Sequence, residues 1–249
     1  MRIVSYNIHK GIGGRDRLYR FERILEVIRA LEPDVVCLQE VDHNVARSRH
    51  DNQPKLLAEK LELSTSVYQL NVHLKSGGYG NLILSRFDVL EKHHISLRLR
   101  EKKPRGAQLV VLDTPQGPLH AVNWHLGLSE RERTWQVNHL FGHDLFRQGL
   151  HLPTVIIGDY NDWRNQLKHA HLAVHGFEQV THPASRFRSF PAFLPLGSLD
   201  KAFVRGLQVE KAFIAHSAMA RQASDHLPLV VDFDIAPQPV AAATNGHAH

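Results

Sequence analysis

The sequence predicts an α/β fold organised as one domain, and three observations carry that expectation. Short apolar runs of strand length recur from residues 3–7 to residues 229–233, several of them closing on a polar side chain. Segments between them return apolar residues at helical spacing, such as Phe21, Ile24, Leu25, Ile28 and Leu31. No linker, repeat or shift in composition divides the chain before an Ala-, Pro- and Gly-rich tail at 237–249, expected to be disordered, so the domain is placed at 1–236. With 249 residues, 43% of them hydrophobic, such a chain can bury one large core.

Bulk properties exclude several classes. No apolar run reaches the roughly 18 residues of a transmembrane helix. The first residues, Met1-Arg2-Ile3-Val4-Ser5-Tyr6-Asn7, turn polar too early for a signal peptide. The one cysteine, Cys37, sits in an apolar run, which excludes an intrachain disulfide and suits a reducing, cytoplasmic setting. The 19 histidines are scattered without HExxH or CxxC spacing, so a structural zinc site is not expected. A formal charge of +5 favours a phosphate-bearing partner.

In chain order, residues 3–7 read as a strand entering a Gly-rich loop at 10–14, which lacks the Gly-Lys-Ser/Thr of a P-loop. A helix follows from Phe21 and is stopped by Pro33. Residues 35–38 form a buried strand ending at Gln39-Glu40-Val41-Asp42. A second helix is placed at 53–63 and a strand at 66–72. Residues 76–80 read as a turn, and strands 81–85 and 88–97 as a hairpin. The basic run 98–106 is a solvated loop in which Arg105, abutting the strand at 107–112, could fork onto a phosphate.

A turn at 115–118 leads to a strand at 119–126 that carries His125. Ser129 and Glu132 form a capping box for a helix that puts Val137, Leu140, Phe141 and Leu145 on one face. The strand at 154–158 ends in Asp159-Tyr160-Asn161-Asp162, and a helix is expected from Asp162 through Leu172. The loop at 181–198 is unusually apolar, with Phe187, Phe190, Phe193 and Leu194, and reads as a core-packing loop rather than a substrate-facing lip. A strand at 199–204 would pair with 208–213 as a hairpin through Gly206, and Ser224-Asp225-His226 enters the last strand.

The recurring feature is polar chemistry at strand ends: Asn7, Glu40, His125, Asp159 with Asn161, Asp200, and Asp225 with His226. Taken singly, each is an ordinary strand-end polar residue in solvent or an ion pair. Together they are what metal-assisted phosphoryl chemistry requires. Carboxylates and an amide oxygen hold Mg²⁺, a carboxylate activates water, and amides and an imidazole stabilise oxyanions.

This set, in this order, resembles the endonuclease/exonuclease/phosphatase family, whose members include DNase I-like nucleases, apurinic endonucleases, neutral sphingomyelinases, inositol polyphosphate 5-phosphatases and deadenylases. The resemblance spans residues 3–233. It rests on Ser5-Tyr6-Asn7-Ile8, Leu38-Gln39-Glu40-Val41, Gly80-Asn81-Leu82-Ile83-Leu84-Ser85, Asn123-Trp124-His125-Leu126, Gly158-Asp159-Tyr160-Asn161-Asp162, Ser198-Leu199-Asp200 and Ser224-Asp225-His226-Leu227-Pro228-Leu229. The usual Gly-Asp-Phe-Asn is here Gly-Asp-Tyr-Asn, a change in a packing ring.

The resemblance implies a four-layer α/β/β/α sandwich of two mainly antiparallel sheets, with the site where strand ends from both sheets converge. It implies one or two Mg²⁺ or Mn²⁺ ions held by Glu40, Asn7 and Asp225. Asp159 would activate water, His226 would stabilise the transition state with Asp200 orienting it, and His125 would contact the phosphate. Asn161 would hold a phosphate oxygen, with Asn81 and Arg105 at looser phosphate positions. The reaction implied is in-line hydrolysis of a phosphate ester without a covalent intermediate. Three readings of function stay open: a phosphodiesterase on a small or lipid-linked ester, a nuclease on DNA or RNA, and a non-catalytic binding module. The apolar stretch Phe187–Leu196 favours the first and the basic run the second; the intact acids oppose the third.

Overall fold

Among residues 1–167 and 172–236, which the computed structural model describes, twelve strands and five α-helices form. In chain order they are β1 (Arg2–Asn7), α1 (Phe21–Arg29), β2 (Val35–His43), α2 (Gln53–Leu61), β3 (Thr65–His73), β4 (Gly78–Ser85), β5 (Asp88–Ser96), β6 (Gly106–Thr114), β7 (Gly117–His125), α3 (Glu130–Gly142), α4 (Asp144–Gln148), β8 (Thr154–Asp159), β9 (Glu178–Gln179), β10 (Asp200–Arg205), β11 (Leu207–Ile214), α5 (Ala220–Ala223) and β12 (Leu229–Ile235). They build two six-stranded sheets, ordered β11-β12-β1-β2-β4-β3 and β5-β6-β7-β8-β10-β9. Pairing is antiparallel except at β1–β2 and β7–β8 near the centre of each sheet. Among the described residues, no helix is long and apolar enough to cross a membrane.

The two-residue period of a strand sorts the layers. In the second sheet Val110, Ala121, Val155, Ile157 and Ala202 join the core shared with the first sheet. Their neighbours Leu109, Val122, Ile156 and Phe203 face the other way, with Val137, Leu140 and Phe141 of α3 and Phe146 of α4. Helices α1 and α2 cover the first sheet; α1 buries Phe21, Ile24, Leu25, Val27 and Ile28 on one side. The side chain of Asn52 caps α2, accepting from Lys55 N at 3.2 Å, with Pro54 in the first turn. The result is the expected α/β/β/α sandwich.

A buried amide cluster crosses the seam between the sheets. Asn123 Nδ2 donates to Leu38 O at 3.0 Å and Leu82 O at 3.2 Å in the first sheet, and to Gln108 Oε1 at 3.0 Å in its own. Gln39 Nε2 donates to Asn123 Oδ1 at 2.8 Å and reaches Ser5 Oγ at 3.2 Å. Such amides are costly to bury unless hydrogen-bonded, and their directional bonds fix how one sheet sits on the other. Gln39 precedes Glu40 and Asn123 lies two residues before His125, so the cluster sets the separation of those site residues.

The structure departs from the sequence expectations in several places. Strands β4 and β5 are not a hairpin: β4 pairs with β2 and β3, β5 with β6, and Arg86-Phe87 carries the chain from one sheet to the other. Likewise β10 pairs with β8 and β9 while β11 pairs with β12, so Gly206 marks a second crossing. A short link looks the same in sequence whether the chain folds back or changes sheet. The turn expected at 76–80 is shorter, because β4 begins at Gly78. The helix expected to run on to Leu145 breaks at His143, whose ψ of 130° leaves the helical region, and restarts as α4.

The helix expected near Asp162 starts later, at Leu167. The Asp162 carboxylate accepts from the backbone N–H of Gln166 (3.1 Å) and Leu167 (3.0 Å), so residues 162–166 form a capped turn before it. The rest of that expected helix, 168–171, and the tail 237–249 lie outside the described residues. In the 181–198 loop Phe187 and Ala192 join the core, while Phe193, Leu194 and Leu196 are exposed.

Candidate active site

Strand direction gathers the site. The parallel pairs β1–β2 and β7–β8 bring Asn7, Glu40, His125 and Asp159 towards one edge of the sandwich. β10 runs antiparallel to β8, so its first residue, Asp200, lies opposite Asp159. β12 runs antiparallel to β1, so the Ser224-Asp225-His226 segment that precedes it arrives at the same edge.

Asp159 is the hub. Asn161 N donates to its Oδ1 at 2.9 Å and Asn7 Nδ2 to its Oδ2 at 3.1 Å. His125 Nε2 lies 3.3 Å and His226 Nε2 3.7 Å from Oδ2. Burial and the nearby Asp200 charge push the carboxyl up to about 6, against the pull of His226 and the two amide donors. His226 Nδ1 sits 2.8 Å from Asp200 Oδ2. Burial alone would lower that imidazole, but the charges of Asp200 and Asp159 outweigh it and raise it to about 10. His226 is therefore held as an imidazolium between two acids. His125 is the contrast: burial first, then the Arg105 charge, lowers it well below the usual range and keeps it neutral.

The backbone places Asn161 with a φ of 49°, a left-handed conformation that asparagine tolerates better than most residues. One amide hydrogen goes to Leu126 O at 2.9 Å. The hydroxyl of Ser224 donates to Asn7 O at 2.7 Å and accepts from His226 N at 3.3 Å, tying the last loop to the end of β1.

Glu40 corrects another sequence reading. It does not end its strand: β2 continues to His43, and Glu40 lies within a register break between Leu38 and Val41 with a φ of 58°. A bulge of this kind re-aims one side chain without ending the sheet. Burial would raise this carboxyl, yet the Lys10 ammonium, helped by Lys103, holds it well below the ordinary carboxylate range. Its direct partner is the Lys10 ammonium. Lys10 reaches it because His9, Lys10 and Gly11 take successive φ values of 45°, 63° and 77°. Gly11 is needed there, since a Cβ would come within 2.9 Å of the Tyr19 ring. Asp225 joins through His9, whose Nε2 is 3.8 Å away.

The structure thus brings Asn7, His125, Asp159, Asn161, Asp200 and His226 into one contact network. Glu40 adjoins it through the cleft it shares with His125, and Asp225 through the His9 link and its neighbour His226. Asn81 and Arg105 share a cleft with Glu40 and His125, where Asn81 Nδ2 donates to Gly106 O at 3.0 Å. Sequence reasoning missed Lys10, Tyr79 and Trp163, and named Phe190 only as part of an apolar loop. The Phe190 ring lies 4.9 Å from the His226 ring and 5.8 Å from that of Trp163. No local pattern marks these residues, which meet only through the sheet crossings and the left-handed turn.

Among the described residues, no three His, Cys, Asp or Glu side chains converge as a metal cluster. The donors available are oxygens: the carboxylates of Glu40 and Asp225 and the Asn7 amide. That set fits Mg²⁺ or Mn²⁺, since Mg²⁺ typically takes one or two carboxylates and completes its shell with water and substrate phosphate. The Lys10 ammonium on Glu40 shows that this carboxylate accepts a cation.

A model of the Endonuclease/Exonuclease/phosphatase family matches residues 4–226. The chain is 28% identical to the uncharacterized protein YbhP of Escherichia coli over 252 residues, covering 94% of this chain and 96% of that protein. Among solved structures, an endonuclease/exonuclease/phosphatase from Beutenbergia cavernae superposes with a TM-score of 0.76 at 22% identity, covering 97% of this chain and 73% of the other. The mannosyl-6-phosphatase Bt3783 of Bacteroides thetaiotaomicron superposes with a TM-score of 0.71 at 19% identity, covering 94% and 99%. At these identities the two structures speak to the fold.

Proposed function

Since the chain belongs to the endonuclease/exonuclease/phosphatase family, we propose that it is a Mg²⁺- or Mn²⁺-dependent phosphoric ester hydrolase acting on a small or lipid-linked phosphodiester by in-line attack of water. One observation carries the reading: the buried Asp159 carboxylate lies 3.7 Å from His226 Nε2, and Asp200 holds the other ring nitrogen at 2.8 Å.

Asp159 accepts the proton of the attacking water, for which a group titrating near neutrality is suited. His226, protonated, donates to a non-bridging phosphate oxygen as charge builds there, and Asp200 fixes its ring and stabilises its charge. Asn161 directs its remaining amide hydrogen to a second oxygen. His125, neutral and 3.3 Å from Asp159, supplies a hydrogen bond without repelling Arg105. Glu40, Asn7 and Asp225 would hold the cation, whose chemistry is to neutralise developing negative charge on the phosphoryl group.

The apolar rim supports the lipid-linked substrate. Trp163 (58% exposed), Phe193, Leu194 and Leu196 (62% exposed) stand in solvent beside Phe190, which packs on the His226 ring. Exposed aromatic and leucine side chains grouped at a polar site are out of place unless they meet an apolar ligand. Hydrolysis of a phospholipid or long-chain aryl phosphodiester should therefore exceed that of the short-chain ester, and Trp163→Ala should erase most of the difference. A panel comparing phospholipids, aryl mono-, di- and triesters, plasmid DNA, abasic duplex and RNA, each with Mg²⁺ and then Mn²⁺, measures this. Cleavage of nucleic acid with the lipid esters untouched would replace this reading with that of a nuclease.

A further inference from the structure

The loop that closes beside His226 presents an apolar tip to solvent. Phe190 and Gly197 pair across its base, Phe190 N donating to Gly197 O at 3.1 Å and Gly197 N to Phe190 O at 2.8 Å. The six residues between them, Pro-Ala-Phe-Leu-Pro-Leu, carry no polar side chain. Ala192 is buried and its N–H donates to Asp225 O at 2.7 Å, which fixes the tip to the edge that holds the site. Phe193, Leu194 and Leu196 are 50%, 59% and 62% exposed. Trp163 joins them at the base. Its ring lies against Gly197, where a Cβ would come within 2.6 Å of it. The tip is thus held in place by its backbone while its large side chains stay in water.

Four exposed arginines accompany the tip. Arg186 and Arg188 lead into it, Arg164 follows Trp163, and Arg221 Nη1 lies 3.5 Å from Phe193 O. The stretches that carry them, 163–167, 181–199 and 215–222, contain no Asp or Glu. Asp16, which meets Gln222 at the Gly13 turn, is already paired with Arg23 at 2.7 Å. Asp225 belongs to the site itself.

Apolar side chains flanked by cations without acids match one kind of surface, a bilayer with anionic headgroups. Phenylalanine and leucine enter the boundary between headgroups and acyl chains, tryptophan sits at the same depth, and arginines stay with the phosphates. A second copy of this chain fits less well, because two identical faces would bring like charges together. Nucleic acid would satisfy the arginines but leave Leu194 and Leu196 in water.

We propose that this tip docks the protein on an anionic lipid bilayer, setting the edge that carries Asp159 and His226 against the membrane surface. Docking itself needs no chemistry; that it presents a lipid-linked ester to the site rests on the hydrolase reading.

The test is sedimentation of the full chain with vesicles in EDTA, where turnover plays no part. Vesicles of phosphatidylcholine mixed with phosphatidylglycerol should bind the protein, vesicles of phosphatidylcholine alone should bind it far less, and salt should weaken the binding. Phe193→Ser with Leu194→Ser should weaken it about tenfold or more. Arg186→Ala with Arg188→Ala should weaken it by a similar factor and remove most of the preference for phosphatidylglycerol. All four positions are exposed, so melting curves of both variants should match the wild type. Tryptophan emission should shift to the blue on the mixed vesicles, and Trp163→Phe should remove the shift. Failure to bind the mixed vesicles, or equal binding by either double variant, overturns the proposal. So does self-association without lipid that Phe193→Ser with Leu194→Ser abolishes, or tighter binding of single-stranded DNA than of the mixed vesicles. Vesicle binding as stated with no ester hydrolysed leaves the docking in place and fails the hydrolase reading. Ester hydrolysis without vesicle binding does the reverse.

Discussion

Asp159→Asn is expected to lower kcat on bis(p-nitrophenyl) phosphate by about 10³-fold, within the range that removing a general base produces. The substitution keeps the shape and one oxygen, so the bond from Asn161 N at 2.9 Å can persist. What changes is Oδ2, where Asn7 Nδ2, His125 and His226 all gather. An amide there presents hydrogens to donors or accepts without a charge, so it cannot take a proton from water, while Asp200 still holds His226 as an imidazolium. KM should move much less than kcat, because the lost interaction belongs to the transition state. Thermal melting should show the variant as stable as the wild type or more so, since a buried carboxylate raised to about 6 is a cost that the fold carries. Steady-state kinetics and a melting curve on one preparation suffice. A loss below about tenfold would remove Asp159 from the role of base.

The second large effect is expected at Asp200. Asp200→Asn should reduce kcat by about 10²-fold or more, a loss of the kind seen when the partner that fixes an imidazole is neutralised. Asp200 is buried, and among the described residues its side chain makes one hydrogen bond, the 2.8 Å contact with His226 Nδ1. It is thus a positioning residue, and its effect should vanish when its client is gone. His226→Ala alone should lose at least as much, and His226→Ala with Asp200→Asn should be no worse than His226→Ala. Additive losses would mean that Asp200 acts by another route, such as its charge on Asp159.

Much of this site was legible in the sequence because strand ends are easy to see. Asn7, His125, Asp159 and Asp200 each close or open an apolar run, and strand direction alone places them at one edge. Glu40 was found as a residue but placed wrongly at the end of β2, since a bulge leaves no mark in the pattern of apolar residues. The two sheet crossings were misread as hairpins for a physical reason. Whether a strand folds back or crosses depends on which face its neighbours bury, and edge strands such as β5, exposed along most of their length, carry little of that signal. The gathering of cations on the Tyr79 ring was invisible: Lys10, Arg47, Tyr79 and Lys103 come from four separate segments. Two of these are fixed by left-handed turns, at His9 and Lys10 and at Arg49 and His50.

The claim most exposed to a single measurement is that Glu40 belongs to a cation site that the reaction needs. Initial rates on bis(p-nitrophenyl) phosphate, taken with EDTA and then with Mg²⁺ restored, for the wild type and Glu40→Gln, address it directly. The account predicts that EDTA abolishes the wild-type rate and Mg²⁺ restores it, while Glu40→Gln stays near background at every Mg²⁺ concentration that saturates the wild type. Undiminished turnover in EDTA, together with an active Glu40→Gln protein, would contradict it.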